Sequence, residues 1–303
     1  MRRNKGAGRR KEPGGRRITV KEKDTLLSFL FKAFSDQSRS SVKSLLSKGQ
    51  VSVNGETTTR FDAPLEPNYV VEITFGKGRI VFNHPMVKIV WEDEYLIVVD
   101  KKQGLLSVAS GREKENTAYH ILSHYVKKSD PRNKIFVLHR LDRETSGLMM
   151  FAKNRGVQSD LQHTWNDSIT KRSYVAVVEG RPEKDTDIIS SFLKENAGLK
   201  VYVSVSGEGQ EAITRYNLLR TNNNYSLLEL DLETGRKNQI RAQMESIGHP
   251  ITGDAKYGAE SNPSGRLTLH ARKLHFIHPI TKEKMRFETP VPSVFNALVK
   301  KTK

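Results

Sequence analysis

The stretch of the sequence best suited to chemistry is a nine-residue polar loop, HRLDRETSG (His139–Gly147). The apolar runs 135–138 and 148–152 predict a strand on either side of it. Loops held by a rigid scaffold often carry catalytic residues. Asp142, flanked by arginines, offers a carboxylate that could act as a nucleophile or stabilise positive charge. The residues alone leave an alternative open, a surface loop whose Arg and Asp side chains merely pair with each other.

Motifs for metals and nucleotide cofactors are missing from the sequence. The chain has no cysteine, and no Gly-x-Gly-x-x-Gly or Walker loop follows a predicted strand. His270, His275 and His278 are close in sequence, but the last two point to opposite faces of a predicted strand. We therefore predict no metal site and no cofactor.

The charge of the chain indicates a polyanionic partner. Lys and Arg total 51 against 34 Asp and Glu, a net charge of +17. RNA, DNA or an acidic membrane surface would each suit this charge. No apolar run reaches the roughly 18 residues of a membrane helix, and the basic N-terminus has neither a secretory apolar segment nor an amphipathic helix. We expect a cytoplasmic monomer that binds no membrane.

Composition and turn signals predict two folded domains. The predicted parts are a disordered basic tail (1–16), a small module (17–76), a linker (77–85), a large domain (86–292) and a basic C-terminal tail (293–303).

The small module is predicted to contain two helices and a small sheet. Thr25 can cap the first helix, Ser38 or Ser40 the second, and Asn54-Gly55 is a strong hairpin signal. Arg39 and Lys43 are four residues apart, so they share the outer face of the second helix. A basic helix face beside a small sheet suits an RNA backbone.

The large domain is predicted to be rich in strands with few long helices. Helices are expected at 117–126, 154–165 and 237–247, and strands at 87–91, 95–99, 135–138, 148–152, 174–178, 213–219, 225–232, 267–277 and 285–287. This pattern predicts an α+β fold with a mixed or antiparallel sheet and flanking helices.

Two family resemblances extend this interpretation over residues 38–292. Residues 38–73 resemble an S4 RNA-binding domain, although Pro67-Asn68 replaces the usual Gly-Asp, and a generic small α/β module is the alternative. HRLDRETSG, KRSYVAVVEG and GRKNQIRAQ resemble the motifs of the RluA-type pseudouridine synthases, which isomerise uridine in RNA. The resemblance places Asp142, Tyr174 and Arg241 at the family's active-site positions.

The resemblance implies a chemistry that needs no cofactor, because the uracil is detached, turned and rejoined to the same sugar. Asp142 would be the essential carboxylate, and Arg241, ideally bidentate, would keep it ionised. Tyr174 would offer an aromatic face and a hydroxyl, or else be a core residue. The target base must be flipped out of its helix. Arg140 would then fill the gap, or else make an ordinary phosphate contact.

Three positions depart from the family pattern. Asn238 and Gln243 stand where histidines are common, and Lys102 follows Lys101 where the family usually has proline. If those histidines shape RNA contacts, the choice of target would differ in this chain.

Three functions remain as hypotheses. The first is a pseudouridine synthase acting on large-subunit ribosomal RNA, with transfer RNA as an alternative substrate. The second is a catalytically silent RNA-binding or ribosome-assembly factor. The third, a metal-dependent nuclease, is disfavoured because acidic residues are not clustered.

Overall fold

The computed structural model describes residues 15–74, 82–111 and 113–300, and the chain divides into two compact units. The first unit ends at Asn83 and also contains Lys128–Pro131, and the second holds the remainder. The predicted tail falls outside the described residues up to residue 14, but Gly15 and Arg16 already belong to a strand. No helix in the described ranges is long and apolar enough to cross a membrane.

The described residues of the first unit form two helices and six short strands. Its elements are β1 (Gly15–Thr19), β2 (Asp24–Thr25), α1 (Leu26–Ala33), α2 (Arg39–Ser47), β3 (Val51–Val53), β4 (Glu56–Thr57), β5 (Pro64–Leu65) and β6 (Val70–Thr74). Of the two caps predicted for α2, the structure uses Ser38, whose hydroxyl accepts a hydrogen bond from the Ser41 amide.

The sheet of the first unit has the order β1-β6-β3-β4. The predicted hairpin joins β3 to β4, and both Asn54 and Gly55 adopt positive φ angles, of 50° and 84°. That pair of angles suits a two-residue hairpin turn. The apolar faces of both helices, including Leu26, Leu30 and Val42, form a core with the sheet.

The second unit is built mainly from strands. The elements up to its longest hairpin are β7 (Val87–Glu92), β8 (Leu96–Lys101), α3 (Ala118–Lys127), β9 (Phe136–Val137), β10 (Ser146–Ala152), α4 (Arg155–His163), α5 (Trp165–Ser168), β11 (Ile169–Glu179), β12 (Thr186–Glu195), β13 (Val201–Val203), β14 (Gln210–Thr221) and β15 (Tyr225–Leu232). They are followed by α6 (Gln239–Ser246), a 3₁₀ turn (Ala255–Tyr257), β16 (Leu269–Ile277), β17 (Lys284–Glu288) and α7 (Ser293–Leu298).

One mixed sheet organises this unit, and the α+β prediction is confirmed. Within the described residues the sheet has 11 strands in the order β13-β12-β14-β15-β11-β16-β10-β8-β7, with β17 beside β16 and β9 beside β10. Most pairs are antiparallel, whereas β10 runs parallel to β16. At that parallel pair a Cβ on Gly147 would lie 2.2 Å from the Ala271 carbonyl oxygen, so only glycine fits where the polar loop enters β10.

The C-terminal segment differs from the prediction of a basic tail. Residues 293–298 form α7, and Phe295 and Val299 are buried against Val175 and Val177 of β11. The basic residues near the end of the chain suggested a solvated tail, but this short run places apolar side chains on the sheet. Burial of those side chains orders the segment.

Two strands were missing from the prediction, and one helix starts later than expected. β12 alternates exposed and half-buried residues, but its large apolar residues occur as two adjacent pairs, Ile188-Ile189 and Phe192-Leu193, so its sequence does not show the alternation of a strand. The following strand, β13, has only three residues. α6 begins at Gln239 because Asn238 adopts a left-handed conformation with φ 52°.

Candidate active site

The polar loop that carries Asp142 is pinned by the segment after β8. The Ser107 hydroxyl donates to the Leu141 carbonyl (2.6 Å) and accepts from the Leu141 amide (3.0 Å). The Gly104 amide donates to the Arg143 carbonyl at 2.8 Å. Hydrogen bonds on both sides of Asp142 therefore fix its backbone, although the residue belongs to a loop.

Beneath the loop lies a lysine that is sealed from solvent. The Lys101 side chain is fully buried, and its ammonium donates to the carbonyls of Leu105 (2.8 Å), Lys102 (3.1 Å) and Arg143 (3.3 Å). Three acceptors match its three protons. Burial lowers the pKa of Lys101 to about 8, against the opposing effect of Glu144 and Asp142. Lys101 thus links the end of β8 to the loop.

Tyr174 reaches the same region from the middle of β11. It is half-buried, between Leu230 of β15 and Ala271 of β16 in the strand register. Burial raises its pKa to about 12, and the Asp142 carboxylate adds to the increase while Arg172 opposes it. The phenol therefore stays protonated at neutral pH, where it can donate a hydrogen bond but is a poor base.

Arg241, on α6, lies near Asp142, but its two-pronged hydrogen bonding is directed to a different carboxylate. Its Nε and Nη2 donate to the two oxygens of Asp254 at 2.6 and 2.7 Å, and Asp254 is only 2% exposed. Only Nη1 faces Asp142, 3.9 Å from Oδ2. The expectation of a bidentate pair between Arg241 and Asp142 is therefore wrong. Burial opposes the charge of Arg241, but pairing with Asp254 raises its pKa overall, so it remains a cation.

The two residues that replace family histidines have different surroundings. Asn238 lines the site, and its side-chain oxygen accepts from Arg241 Nη1 at 3.2 Å. Gln243 is fully buried and donates to Ile189, Ser191 and Ala212 while accepting from Thr214. Gln243 therefore ties α6 to β12 and β14, and it lies too deep for a contact with RNA.

A cleft of about 890 Å³ brings the predicted residues together. Asp142, Tyr174, Arg241 and Arg140 all line it. Among the described residues, its charged lining is Asp142 together with five cations, Arg140, Arg172, Arg236, Lys237 and Arg241. Ligand pockets typically measure about 300–1,000 Å³, so this cleft is large enough for a nucleotide and part of its neighbours.

Several further lining residues were not identified from the sequence. Trp165 is half-buried and lines the cleft, with its ring centre 5.4 Å from that of His139. Burial lowers the pKa of His139 to about 3, helped by the charge of Arg172. Asp254 does not line the cleft but holds Arg241, and no local pattern in the sequence predicted this pairing.

The remaining predicted residues lie elsewhere. Arg39 and Lys43 are exposed on α2 of the first unit, and the Arg39 guanidinium lies 5.6 Å from the Phe31 ring centre. His270 contacts Ser146 and Thr289, and His278 contacts Asp93. No group of three potential metal-ligating side chains occurs within the described ranges.

Comparison with known proteins assigns the chain to a family. A profile described as RNA pseudouridylate synthase matches residues 95–246. An uncharacterized RNA pseudouridine synthase of Bacillus subtilis, YjbO, is 32% identical over 83% of this chain and 90% of its own length. Ribosomal large subunit pseudouridine synthase D of Zymomonas mobilis is 31% identical, over 87% of this chain and 89% of its own.

The fold agrees with this family. The solved structure of human RNA pseudouridylate synthase domain containing 4 has a TM-score of 0.56 at 22% identity, covering 69% of this chain and 90% of that one. The cleft, the mixed sheet and the sequence matches therefore agree, and the chain belongs to the RNA pseudouridylate synthase family as an RNA pseudouridine synthase of the RluA type.

Proposed function

We propose that the protein converts uridine to pseudouridine in structured RNA with Asp142 as the catalytic carboxylate. The observation that supports this assignment is the position of Asp142 in the cleft, with its carboxylate 33% exposed and 3.9 Å from the Arg241 guanidinium. An ionised oxygen that a substrate can reach could attack the nucleotide or stabilise positive charge at its sugar. The Arg241 cation attracts the Asp142 carboxylate without occupying both of its oxygens.

Tyr174 and Arg241 have supporting roles in this proposal. The Tyr174 ring forms one wall for the uracil, and its protonated hydroxyl donates a hydrogen bond. The cation of Arg241, held by Asp254, stabilises negative charge near Asp142. The reaction moves no electrons to or from the RNA, so these side chains suffice in the proposed scheme.

The test is formation of pseudouridine in large-subunit ribosomal RNA transcribed in vitro. Wild-type protein should generate pseudouridine at defined uridines, as mapped chemically. Asp142→Asn should abolish product while RNA affinity stays within a few-fold. Asp160→Asn, which changes an exposed carboxylate on α4 outside the cleft, is the matched control and should retain full activity. Equal product from wild type and Asp142→Asn would remove Asp142 from the mechanism.

We propose that the target uridine is flipped into the cleft and that Arg140 replaces it in the RNA helix. Arg140 is exposed at the cleft and has no ion pair or hydrogen bond among the described residues. Extruding a base costs a few kcal/mol, and least where the base is already unpaired. Arg140→Ala should therefore reduce kcat/KM more for a paired uridine than for the same uridine in an open loop. Equal losses would indicate a phosphate contact instead.

We propose large-subunit ribosomal RNA as the substrate and the cytoplasm as its location. The support comes from the relatives named ribosomal large subunit pseudouridine synthase D and from the net charge of +17. Mapping pseudouridines in total RNA from cells with and without the protein tests this proposal. Loss of modification only in transfer RNA would overturn it.

We propose that the first unit is an S4-type domain that binds the RNA backbone through Arg39 and Lys43. Both side chains are exposed on the same face of α2. Each phosphate contact contributes about 0.7–0.9 to the slope of log affinity against log salt. Replacing both residues with alanine should lower that slope by about 1.4–1.8. Deleting residues 1–76 should also weaken RNA binding but leave a cooperatively folding, active remainder, and loss of the cooperative melt would place the boundary elsewhere.

A further inference from the structure

Arg172 is a cleft cation that no carboxylate of the described residues neutralises. It lies two residues before Tyr174 on β11, so both side chains lie on the same face of the strand and line the cleft. Within the described chain, Arg172 forms no ion pair and no hydrogen bond. Burial lowers its pKa, which shows that its surroundings disfavour the charge.

Arg140 also has no ion pair or hydrogen bond among the described residues, but its side chain is exposed. Three other arginines in or near the cleft have partners. Arg241 is paired with Asp254, Arg236 donates to the Glu211 carbonyl, and Arg266 donates to the Ser146 hydroxyl and to the Leu267 carbonyl. Arg172 differs from them because its five N–H donors have no acceptor in the described protein. A partly buried guanidinium without a counter-ion costs stability unless a ligand supplies the negative charge.

The guanidinium of Arg172 lies close to the backbone of Gly235 and to the ring of Trp165. A Cβ on Gly235 would lie 2.4 Å from Arg172 Nη1, so the guanidinium lies directly over the Gly235 backbone. On another side, its central carbon is 5.9 Å from the Trp165 ring centre. Any residue larger than glycine at position 235 would push the guanidinium away. The present position of the guanidinium therefore requires glycine at position 235.

His139 adds a second unused donor nearby. Its Nε2 accepts from the Met150 amide at 3.1 Å, so the proton of the neutral ring is on Nδ1. Nδ1 has no partner among the described residues, and His139 lines the cleft beside Trp165. Arg172 and His139 thus present donors to one region, and no carboxylate faces them at ion-pairing distance within the described chain.

We propose that Arg172, with Gly235 and His139, forms a subsite for a backbone phosphate adjacent to the target nucleotide. This proposal rests on the proposed function of the cleft as an RNA nucleotide site. A guanidinium fork matches two phosphate oxygens, and the phosphate supplies the negative charge that Arg172 lacks. A uracil carbonyl could accept one hydrogen bond but would leave that charge uncompensated. Arg172 is therefore a positioning residue that fixes the RNA backbone relative to Asp142.

The first test measures stability without RNA. If the charge of Arg172 is compensated only by a bound ligand, its removal costs the free protein no stabilising contact. Arg172→Gln in the full chain should then leave the melting temperature unchanged or raise it. Arg272→Gln is the matched control, because Arg272 is also an arginine on a central strand but is paired with Glu229 and Glu288, so its loss should lower the melting temperature. A decrease for Arg172→Gln as large as that for Arg272→Gln would assign Arg172 a structural role and overturn the proposal.

The second test measures the salt dependence of binding to large-subunit ribosomal RNA transcribed in vitro. Arg172→Gln should lower the slope of log affinity against log salt by about 0.7–0.9, the contribution of one phosphate. Arg172→Lys keeps the charge and should keep the slope. An unchanged slope for Arg172→Gln would overturn the proposal. This measurement needs no turnover, so it is independent of whether Asp142 is catalytic.

The third test locates the phosphate. In an RNA fragment that the wild-type protein modifies, each phosphate flanking the target uridine is replaced in turn by a neutral methylphosphonate. At one position the replacement should raise KM for the wild type but leave KM for Arg172→Gln unchanged, because both changes remove the same contact. Additive effects at every position would show that Arg172 contacts none of these phosphates, and would overturn the proposal even though the enzyme is active.

Discussion

Replacing Asp254 should expose how the position of Arg241 depends on a buried counter-ion. Asp254 is 2% exposed and Arg241 14% exposed, and two charge-assisted hydrogen bonds of 2.6 and 2.7 Å join them. Removing one partner of a buried ion pair costs about 3–5 kcal/mol. Asp254→Asn keeps the shape and one acceptor, so we expect about 3 kcal/mol, or roughly 6–12 °C in melting temperature for a unit of this size.

The same substitution should affect catalysis beyond its effect on stability. Without the Asp254 carboxylate, the Arg241 fork loses both of its charge-assisted hydrogen bonds and keeps only the weaker bond from Nη1 to Asn238 and its contact with the Tyr257 ring. Its Nη1 is already 3.9 Å from Asp142. A misplacement of about 1 Å can reduce a rate by about 100-fold, so we expect a loss of that order in kcat. The assay is the initial rate of pseudouridine formation at a temperature where both proteins are folded.

Glu229→Gln is the matched control for Asp254→Asn. Glu229 is paired with Arg272 and Lys273 and does not line the cleft. Its replacement should lower the melting temperature and leave kcat unchanged. The reasoning fails if Asp254→Asn melts like the wild type, or if it is destabilised but retains full kcat.

Three further predictions concern stability and ionisation. The pKa of His139 is about 3 in the folded protein and about 6.5 in the unfolded chain. As the pH falls, His139 therefore binds a proton in the unfolded chain before it does so in the folded protein. As the pH is lowered from 6 to 4, the free energy of unfolding of the wild type should therefore fall by about 1.4 kcal/mol per pH unit more than that of His139→Gln. Equal slopes of the unfolding free energy against pH, measured in urea melts, would contradict this. Because the pKa of Tyr174 is about 12, the absorbance difference between wild type and Tyr174→Phe should show no titration with a midpoint near 10. Phe295→Ala should cost about 3–5 kcal/mol in urea melts, whereas the half-exposed Ile280→Ala should cost less than about 0.5, and similar values would argue against docking of α7.

Local signals in the sequence were sufficient for much of the fold. The strand predicted at 225–232 matches β15, because its apolar side chains are buried and its ends carry polar residues. The predicted caps at Thr25 and Ser38 precede helices in the structure, since capping depends on neighbouring residues only. β12 was missed because a strand near the sheet edge needs little apolar surface, and its pairing with β14 is a long-range property.

For the candidate site, the sequence predicted which residues belong to it better than it predicted which side chains bond to each other. Asp142, Tyr174 and Arg241 were expected in one site and all line the cleft. The carboxylate that binds the Arg241 fork is Asp254, 13 residues further on, and an aspartate after a glycine has the local pattern of a turn residue. Gln243 was expected to influence RNA contacts, but the packing of α6 on β12 and β14 buries it. Such partnerships depend on tertiary packing, which no local pattern encodes.

The fully buried Lys101 can report on movements of the loop that carries Asp142. An amine with no solvent-exposed surface is also hidden from acylating reagents, whereas the other lysines in the described ranges are half-buried or exposed. Labelling of this position in the native protein, read by mass spectrometry, would require that its three carbonyl partners separate. The rate of that labelling would measure how often the segment carrying Asp142 detaches from its support, without any engineered probe.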